Sequence, residues 1–505
     1  MTPSPASRPP IVAVVGHIDH GKSTLLDYIR KTSVVEKEAG GITQHLSAYE
    51  VSHTSKDTGE ARSITFLDTP GHAAFQKMRA RGLEVADVAI LVVSAEEGAK
   101  PQTLEAVRLI QETKRPYIVA INKIDKPAAN VERTKASLIE NEIYLEGMGG
   151  DVPYVAISAK RGDGIPELLD LILLAADIAE LTTNPSLPGT GTVIEAHVDA
   201  RKGTCATLIV REGKIESGQY VVAGEALAPT RIMENFLGKK IKEVSAGSPV
   251  QIIGFSVLPE TGIPFSLVSS KKEAEVLVAA ARVARLHATT PVMRSSADEE
   301  EGQKPYLPLF IKTDVAGTID AIEHEIAKLP QEKMDIRIVG RGVGAVSEGD
   351  VKMAAGGSGD SIILGFNVQV EPVAKELAER LGIRIHVFDV IYHLTEEISK
   401  IVTERTPKKE EDEERASCKV LKLFGESKAG IVLGGRVEEG TLSLGDQIKI
   451  VRRDIEVGRG TIESLQTGKT ASKKVEVGQE FGALVKTKGS VAPGDYIKSI
   501  VRVLK

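Results

Sequence analysis

IVAVVGHIDHGKSTLLDYIR (residues 11–30) reads as an apolar strand, a glycine-bounded loop and the start of a helix. Its centre, Gly16-His17-Ile18-Asp19-His20-Gly21-Lys22-Ser23, fits the pattern G-x-x-x-x-G-K-[ST], with Thr24 following. A strand before that pattern and a helix after it are the context in which it binds phosphate. The glycines let successive backbone N–H groups curl around phosphate oxygens, and the helix adds its positive end. Lys22 is expected to bridge the β- and γ-phosphates of a nucleotide, and the Ser23 hydroxyl to hold Mg2+. The stretch therefore predicts a P-loop domain built on a mostly parallel sheet.

Working outward, apolar runs at 64–67, 88–93, 117–121 and 154–157 alternate with helix-periodic segments at 102–112 and 131–142. That alternation predicts helices on both faces of the sheet. Three of these runs end in chemistry. ITFL (64–67) leads into Asp68-Thr69-Pro70-Gly71. Asp68 at a strand end suits Mg2+ through water, and the Gly71 N–H suits a γ-phosphate. YIVAI (117–121) leads into Asn122-Lys123-Ile124-Asp125. Guanine presents two adjacent donors, N1–H and N2–H2, and the Asp125 carboxylate accepts both, which selects guanine over adenine. YVAI (154–157) leads into Ser158-Ala159-Lys160, whose backbone N–H is expected to reach guanine O6. Together these predict a GTP site within the first 160 residues. His72 directly follows Gly71. A neutral imidazole there orients an attacking water and a protonated one stabilises transition-state charge; both roles stay open.

A closing helix over 165–181 and a turn-rich linker, TTNPSLPGTG (182–191), end this domain. Residues 192–270 then change to short strands with glycine-centred turns, and 416–505 repeat the plan. REGKIESGQYVVAG (211–224) parallels VEEGTLSLGDQIKI (437–450), so that Gly213 and Gly218 are answered by Gly440 and Gly445. Further on, Gly247 and Gly262 are answered by Gly478 and Gly494. An ordered series of this kind predicts two β-barrels of one design. Between them the pattern returns to α/β alternation: LPLFIK, a helix near 318–328, IRIVG, SIILGF, a helix at 373–381 and IRIHVF. A long helix over 391–403 follows, and the mixed-charge run ERTPKKEEDEER (404–415) reads as a solvated linker.

The expected plan is a multidomain α/β and β-barrel protein. It comprises a P-loop GTPase domain (1–183), a β-barrel (188–270), a connecting helix and loop (271–304), an α/β/α sandwich (305–390), a linking helix (391–411) and a second β-barrel (412–505). A chain of 505 residues is too long for one core. Its two cysteines, Cys205 and Cys418, exclude a disulfide scaffold and suit a reducing compartment. No apolar run of membrane-spanning length occurs, so a cytoplasmic protein without membrane partners is expected. Net charge is −6, yet residues 416–505 carry sixteen Lys and Arg against ten Asp and Glu. A basic C-terminal module suits an anionic partner such as RNA.

DTPGH (68–72) resembles the translation GTPase family, in which the resemblance makes His72 the catalytic residue. Glu38-Ala39-Gly40-Gly41-Ile42-Thr43-Gln44-His45 resembles the first switch of translation initiation factor two, and GHAAFQKMRARG (71–82) and NKIDKPAAN (122–130) resemble its bacterial form. TDVAGTIDAI (313–322) and VGAVSEGDV (343–351) extend the resemblance over nearly the whole chain. It implies that Thr43 closes on Mg2+ when GTP is bound, and that Ile18 and Ile42 flank His72 as an apolar gate released on the ribosome. It also implies GTP/GDP and Mg2+ as cofactors, a monomer, and the small and large ribosomal subunits and initiator formylmethionyl-tRNA as partners, with other initiation factors beside them. The last barrel would hold the formylmethionyl end of the tRNA, through Gly434, Gly435, Arg436, Phe481 and Gly482.

This chain departs from the family pattern in places. It starts about ten residues before the first strand, so the family's long N-terminal region is expected to be missing. Gly434-Gly435 stands where the family has Gly-Cys, and Phe481 precedes Gly482 where Cys is common. Residues 466–474, QTGKTASKK, replace a basic-aromatic-acidic loop. The P-loop reads Lys22-Ser23-Thr24 rather than Lys-Thr-Ser, which keeps a hydroxyl for Mg2+. Two other readings stand beside this one: an elongation factor or archaeal/eukaryotic-type initiation factor, and a nucleotide-gated ribosome-binding module whose hydrolysis is incidental.

Overall fold

The computed structural model describes residues 6–31, 43–55, 59–288, 306–330, 334–356, 361–405, 410–427, 430–453, 455–468, 470–487 and 489–504. The chain folds as two compact units, Met1–Arg405 and Thr406–Lys505. In the first, strands β1 (Ile11–Gly16), β2 (Ser47–Thr54), β3 (Ala61–Asp68), β4 (Val88–Ser94), β5 (Tyr117–Asn122) and β6 (Tyr154–Ala156) form one sheet, ordered β2-β3-β1-β4-β5-β6. All neighbours are parallel except β2, which runs antiparallel to β3. The β1 and β4 residues are buried throughout, which is why they read as unbroken apolar runs. The edge strand SAYEVSHT has a polar, half-buried face and carries no such signal.

Helices cover both faces. On one side α2 (Gln76–Val85), α3 (Pro101–Thr113) and α4 (Val131–Glu140) bury Leu83, Ile110 and Leu138. On the other, α1 (Lys22–Arg30) and α5 (Ile165–Ile178) bury Leu25, Leu26, Leu168 and Ile172. The closing helix thus ends at Ile178, short of the expected 181. Thr182–Thr183, read as linker, pairs antiparallel with Ala6–Ser7. The sheet order reverses around β1, so the crevice beyond its carboxyl end is where an open α/β sheet binds ligands.

The first barrel uses β7 (Thr190–Asp199), β8 (Gly203–Glu212), β9 (Tyr220–Ala223), β10 (Ala226–Pro229), β11 (Met233–Glu234), β12 (Lys240–Ile241), β13 (Pro249–Ile253) and β14 (Pro264–Val268), ordered β10-β9-β14-β7-β8-β13-β11-β12. It is tied to the P-loop domain by polar contacts. Arg211 reaches Asp87, which also pairs with Arg8 of its own domain, at 3.4 and 2.6 Å, and Thr65 Oγ1 donates to Gly247 O. Helix α6 (Lys271–Ala288) follows the barrel, as expected; 289–304 lies outside the described residues.

The third domain is an α/β/α sandwich on a parallel sheet of β15 (Tyr306–Thr313), β16 (Asp335–Val343), β17 (Ile362–Phe366) and β18 (Arg384–Phe388), ordered β16-β15-β17-β18. Its strands bury alternate residues on opposite faces. Leu307, Leu309 and Ile311 meet α7 (Ala316–Lys328) and α10 (Ile391–Arg405), whereas Phe310 meets α8 (Glu348–Ala355) and α9 (Pro372–Leu381). Helix α8 was not expected. Its start is a capping box, in which Ser347 Oγ accepts from Asp350 N while Asp350 accepts from Ser347 N.

The second unit is a barrel of β19 (Glu410–Ser427), β20 (Gly430–Ser443), β21 (Gln447–Arg452), β22 (Ile455–Thr467), β23 (Glu480–Thr487) and β24 (Tyr496–Leu504). The order β19-β24-β21-β22-β23-β20 closes through β19–β20 pairing. The first barrel follows the same path, β7-β14-β9-β10 on one side and β7-β8-β13 on the other. Gly213, Gly218, Gly247 and Gly262, and their counterparts Gly440, Gly445, Gly478 and Gly494, all have φ between +69° and +103°. That left-handed geometry is why glycine recurs at these turns.

One expectation is corrected here. The linking helix ends at Arg405 rather than 411, and the last barrel begins at Glu410 rather than 412. The charged run read as linker is therefore partly strand. Its acids find partners across the barrel: Glu414 pairs with Lys449 and Lys498, and Asp412 with Arg459. Opposite charges on other strands of the barrel, Lys498 on the adjacent one, satisfy what periodicity alone reads as solvated.

Candidate functional site

The chain between β1 and α1 turns on three left-handed residues, Gly16 (φ +145°), Asp19 (φ +60°) and Gly21 (φ +87°). A Cβ at Gly16 would stand 2.4 Å from Val92 O, and one at Gly21 2.4 Å from Asn122 Nδ2. Both motif glycines are thus required by space as well as torsion. Gly21 is the N-cap of α1 and gives no side-chain cap. By contrast, Asn130 caps α4 by accepting from Arg133 N. The α1 terminus therefore keeps its partial positive charge for an anion.

Lys22 is 6 % exposed, and its Nζ donates to His17 O at 2.7 Å. Burial lowers its pKa to about 8, with Asp68 acting against the shift. An anionic ligand oxygen beside Nζ would relieve that desolvation. Gly71 lies against the same ammonium: a Cβ there would be 2.4 Å from Lys22 Nζ and 3.2 Å from Ile18 N. Ile18 N donates to Gln102 Oε1, a contact from α3 with no signal in the sequence. His20 is fully buried; burial, then His17, hold its pKa near 4, so it is a neutral packing residue beneath the loop.

Ser23 Oγ and Thr43 Oγ1 stand 2.7 Å apart, although twenty residues separate them. Two oxygen ligands on adjacent octahedral positions of Mg2+, each ~2.1 Å from the ion, would be about 3 Å apart. The hydroxyl pair fits that ion, with the buried Asp68 nearby in charge contact with Lys22. A cavity of about 210 Å3 is lined by Ile18, Asp19, Gly21, Lys22, Ser23, Thr24, Thr43, Gly71, His72 and Lys123. Ile42 lies outside the described residues, so the second gate residue has no structural account.

His72 is buried, and its Nδ1 accepts from Ala74 N at 3.0 Å. Burial is the main cause of its lowered pKa. A neutral ring that accepts at Nδ1 carries its proton on Nε2. Arg79, 1 % exposed, locks this turn by donating to Pro70 O and His72 O, and pairs with Glu105 at 2.5 Å. A buried arginine inside a helix-periodic stretch has no distinguishing pattern in sequence.

At the other end, Asn122 is 2 % exposed and spans two loops: Nδ2 donates to His20 O, and Oδ1 accepts from Lys123 N and Ala159 N. Ala159 N–H, counted among the candidates for guanine O6, is thus committed to Asn122. Asp125 Oδ1 accepts from Ser158 Oγ at 2.7 Å, and that bond chiefly lowers its pKa. The carboxylate is half-buried and anionic at neutral pH. Lys160 is exposed.

In the second unit, Gly434 pairs with Gly482, Gly435 with Phe481 and Arg436 with Glu480, across β20 and β23. A cavity of about 620 Å3 is lined by Gly434, Gly435, Phe481 and Gly482, together with Leu421, Lys422, Phe424, Val432, Gln466 and Glu480. Arg436 is not on it; its Nε donates to Gly478 O at a turn. A Cβ on Gly434 would stand 2.8 Å from the Phe424 ring, and one on Gly435 2.8 Å from the Phe481 ring. The paired glycines make room for two phenylalanines. Phe424 was missed because only the strand register reveals that it faces the glycines.

The comparisons with known proteins follow this division of the chain. Residues 7–177 match the family model of the elongation factor Tu GTP binding domain, 188–267 that of elongation factor G domain 2, and 284–399 that of translation-initiation factor 2. The chain is 39 % identical over 496 residues to translation initiation factor IF-2 of Rubrobacter xylanophilus, covering 97 % of this chain and 71 % of that protein. It is 39 % identical over 500 residues to the protein of the same name from Anoxybacillus flavithermus, covering 98 % and 68 %. Among solved structures, GDP-bound aIF5B from Aeropyrum pernix is 26 % identical, covers 98 % of this chain and 92 % of its own, and has a TM-score of 0.48. Among the described residues no helix is long and apolar enough to cross a membrane.

Proposed function

Because this chain belongs to the bacterial translation initiation factor IF-2 family of translational GTPases, we propose that it is an initiation factor whose GTP-bound form brings initiator formylmethionyl-tRNA to the small ribosomal subunit. It then promotes joining of the large subunit, hydrolyses GTP on the ribosome and leaves with GDP. It works as a monomer in the cytoplasm, beside other initiation factors. The observation that carries this reading is the meeting of Ser23 and Thr43 hydroxyls, 2.7 Å apart, in one cavity with Lys22, Gly71 and His72.

In this reading Lys22 exchanges His17 O for the β- and γ-phosphate oxygens, and the α1 N-terminus receives the remaining charge. Ser23 and Thr43 would hold Mg2+, with Asp68 through water, and the ion would supply positive charge against the phosphates. The Gly71 N–H senses the γ-phosphate. Asp125 accepts guanine N1–H and N2–H2, Ser158 aims that carboxylate, and Lys160 N–H takes O6. Asn122 and Lys123 support the base pocket from below. His72, neutral with its proton on Nε2, orients the attacking water by donating to it. In the resting orientation the neutral form is favoured over a protonated one, because Ala74 N–H occupies Nδ1 and burial lowers the ring's pKa.

For the last barrel, the cavity around Phe424, Gly434, Gly435, Phe481 and Gly482 takes the aminoacylated end of the tRNA. Its apolar wall suits a methionine side chain, since thioether sulfur packs well on aromatic rings. Two measurements test the proposal. Ribosomes should raise GTP turnover strongly over a low basal rate; an unchanged rate would return the reading to a nucleotide-gated module with incidental hydrolysis. Filter binding should rank formylated initiator tRNA above unformylated and elongator forms, and equal retention of all three would defeat the initiator assignment.

A further inference from the structure

The catalytic turn is not held by the P-loop domain alone. Ala74, Phe75 and Met78 are buried in the core of the third domain, with Ile391, Leu394 and Ile398 of α10. Next to Ile391, Tyr392 lies edge-to-face on the His72 imidazole, with ring centroids 4.3 Å apart and an interplanar angle of 88°. The start of α10 also meets the first switch, because Gln44 Nε2 donates to Asp389 O at 2.8 Å. Two restraints therefore act on one ring: Ala74 N–H holds Nδ1, and Tyr392 covers a side of the imidazole. The second comes from a helix outside the nucleotide-binding domain.

We propose that Tyr392 is a positioning residue that restrains His72 in its resting orientation and so holds down GTP turnover away from the ribosome. The inference rests on the assignment of His72 made above. The physical case is direct. His72 can change rotamer only by leaving both the Ala74 amide and the Tyr392 ring. Tyr392 is 43 % exposed, so its removal uncovers the imidazole without opening the core. The restraint belongs to α10, whose apolar side is packed on Phe75 and Met78, so it loosens when that packing loosens. The sequence puts two domains between residues 72 and 392 and gives no hint that they touch.

The test compares wild type, Y392A, Y392F, H72A and the Y392A/H72A double variant in the full chain, with and without ribosomes. Y392A should raise ribosome-independent kcat about two- to tenfold, the range that one edge-to-face ring contact supports. KM for GTP should stay constant, Y392F should retain the wild-type restraint, and the gain should vanish in the double variant. A Y392A rate at or below wild type, or a gain that survives H72A, overturns the proposal. A second readout avoids turnover. The chain has no tryptophan, so Y392W introduces a single indole. Its emission should change on adding H72A, and an unchanged spectrum would also count against the contact. Wild-type turnover that ribosomes do not raise, or that H72A does not lower, would sink the assignment of His72 itself. A responsive wild type with an inert Y392A sinks only the restraint.

Discussion

The nucleotide cavity and the cavity of the last barrel are built in opposite ways. The first, about 210 Å3, is lined by loop residues at the carboxyl ends of strands, and its floor is backbone held by Gly16, Asp19 and Gly21. The second, about 620 Å3, is lined by side chains spread over β19, β20, β22 and β23. Contiguous loops bind a charged ligand through amides and a few fixed side chains. A strand surface binds an apolar group through whichever residues the register brings side by side. The first design leaves no room for a Cβ at Gly16, Gly21 or Gly71. The second tolerates compensated swaps, as the Gly435 and Phe481 pair suggests.

The sharpest way to break this contrast is at the base. Asp125→Asn should reverse the donor–acceptor match and move preference from GTP towards xanthosine triphosphate, by ~10⁴ in the affinity ratio. Competition binding measures it, and retained GTP preference would show that Asp125 does not read the base. Next in size, His72→Ala should leave GTP affinity intact and lower ribosome-stimulated kcat about 10²–10⁴-fold. Stopped-flow phosphate release gives the number; equal rates would remove His72 from the chemistry.

The barrel should behave differently, with moderate and compensable effects. Gly435→Cys places a Cβ 2.6 Å from Lys419 O and 2.8 Å from the Phe481 ring. It should cost ~1–3 kcal/mol by overpacking. Phe481→Cys should cost about 3 kcal/mol by leaving a cavity, since Phe481 is 4 % exposed. The double variant should recover in urea unfolding the part of the losses that comes from the Phe481 ring, while the contact with Lys419 O remains. Simple additivity would show that the two positions do not share one space.

The last effect is a pH dependence at the contact between the first barrel and the third domain. Glu195 of the first barrel accepts from Gly317 N of the third domain, and burial raises its pKa from an ordinary 4.5 to about 7. Between those values the folded chain keeps a proton that the unfolded chain has lost. The resulting stability is full below 4.5 and is lost as pH rises through 7. It amounts to something on the order of 3 kcal/mol. Relative to wild type, Glu195→Gln should therefore flatten the fall in Tm between about pH 5 and 8. Parallel profiles for the two proteins would mean that Glu195 does not titrate across that window.

Much of this was legible before any coordinates. The P-loop, the DTPG turn, the NKID and SAK loops and the eight turn glycines are local patterns, fixed by torsion angles and by contacts within a few residues. Strand β2, helix α8 and the barrel strand across 410–415 were not legible, because their polar residues are satisfied only across a sheet or a cap. The sequence alone determined the loop motifs and the chemistry they carry, since backbone torsion and hydrogen-bond chemistry are set locally. Only the tertiary structure decided that Ser23 meets Thr43, that Arg79 and Asn122 lock the loops, that Phe424 and Phe481 fill the space over two glycines, and that Tyr392 covers His72. Those contacts join residues far apart in the chain. Packing between elements selects them, and no periodicity in the sequence records which elements will touch.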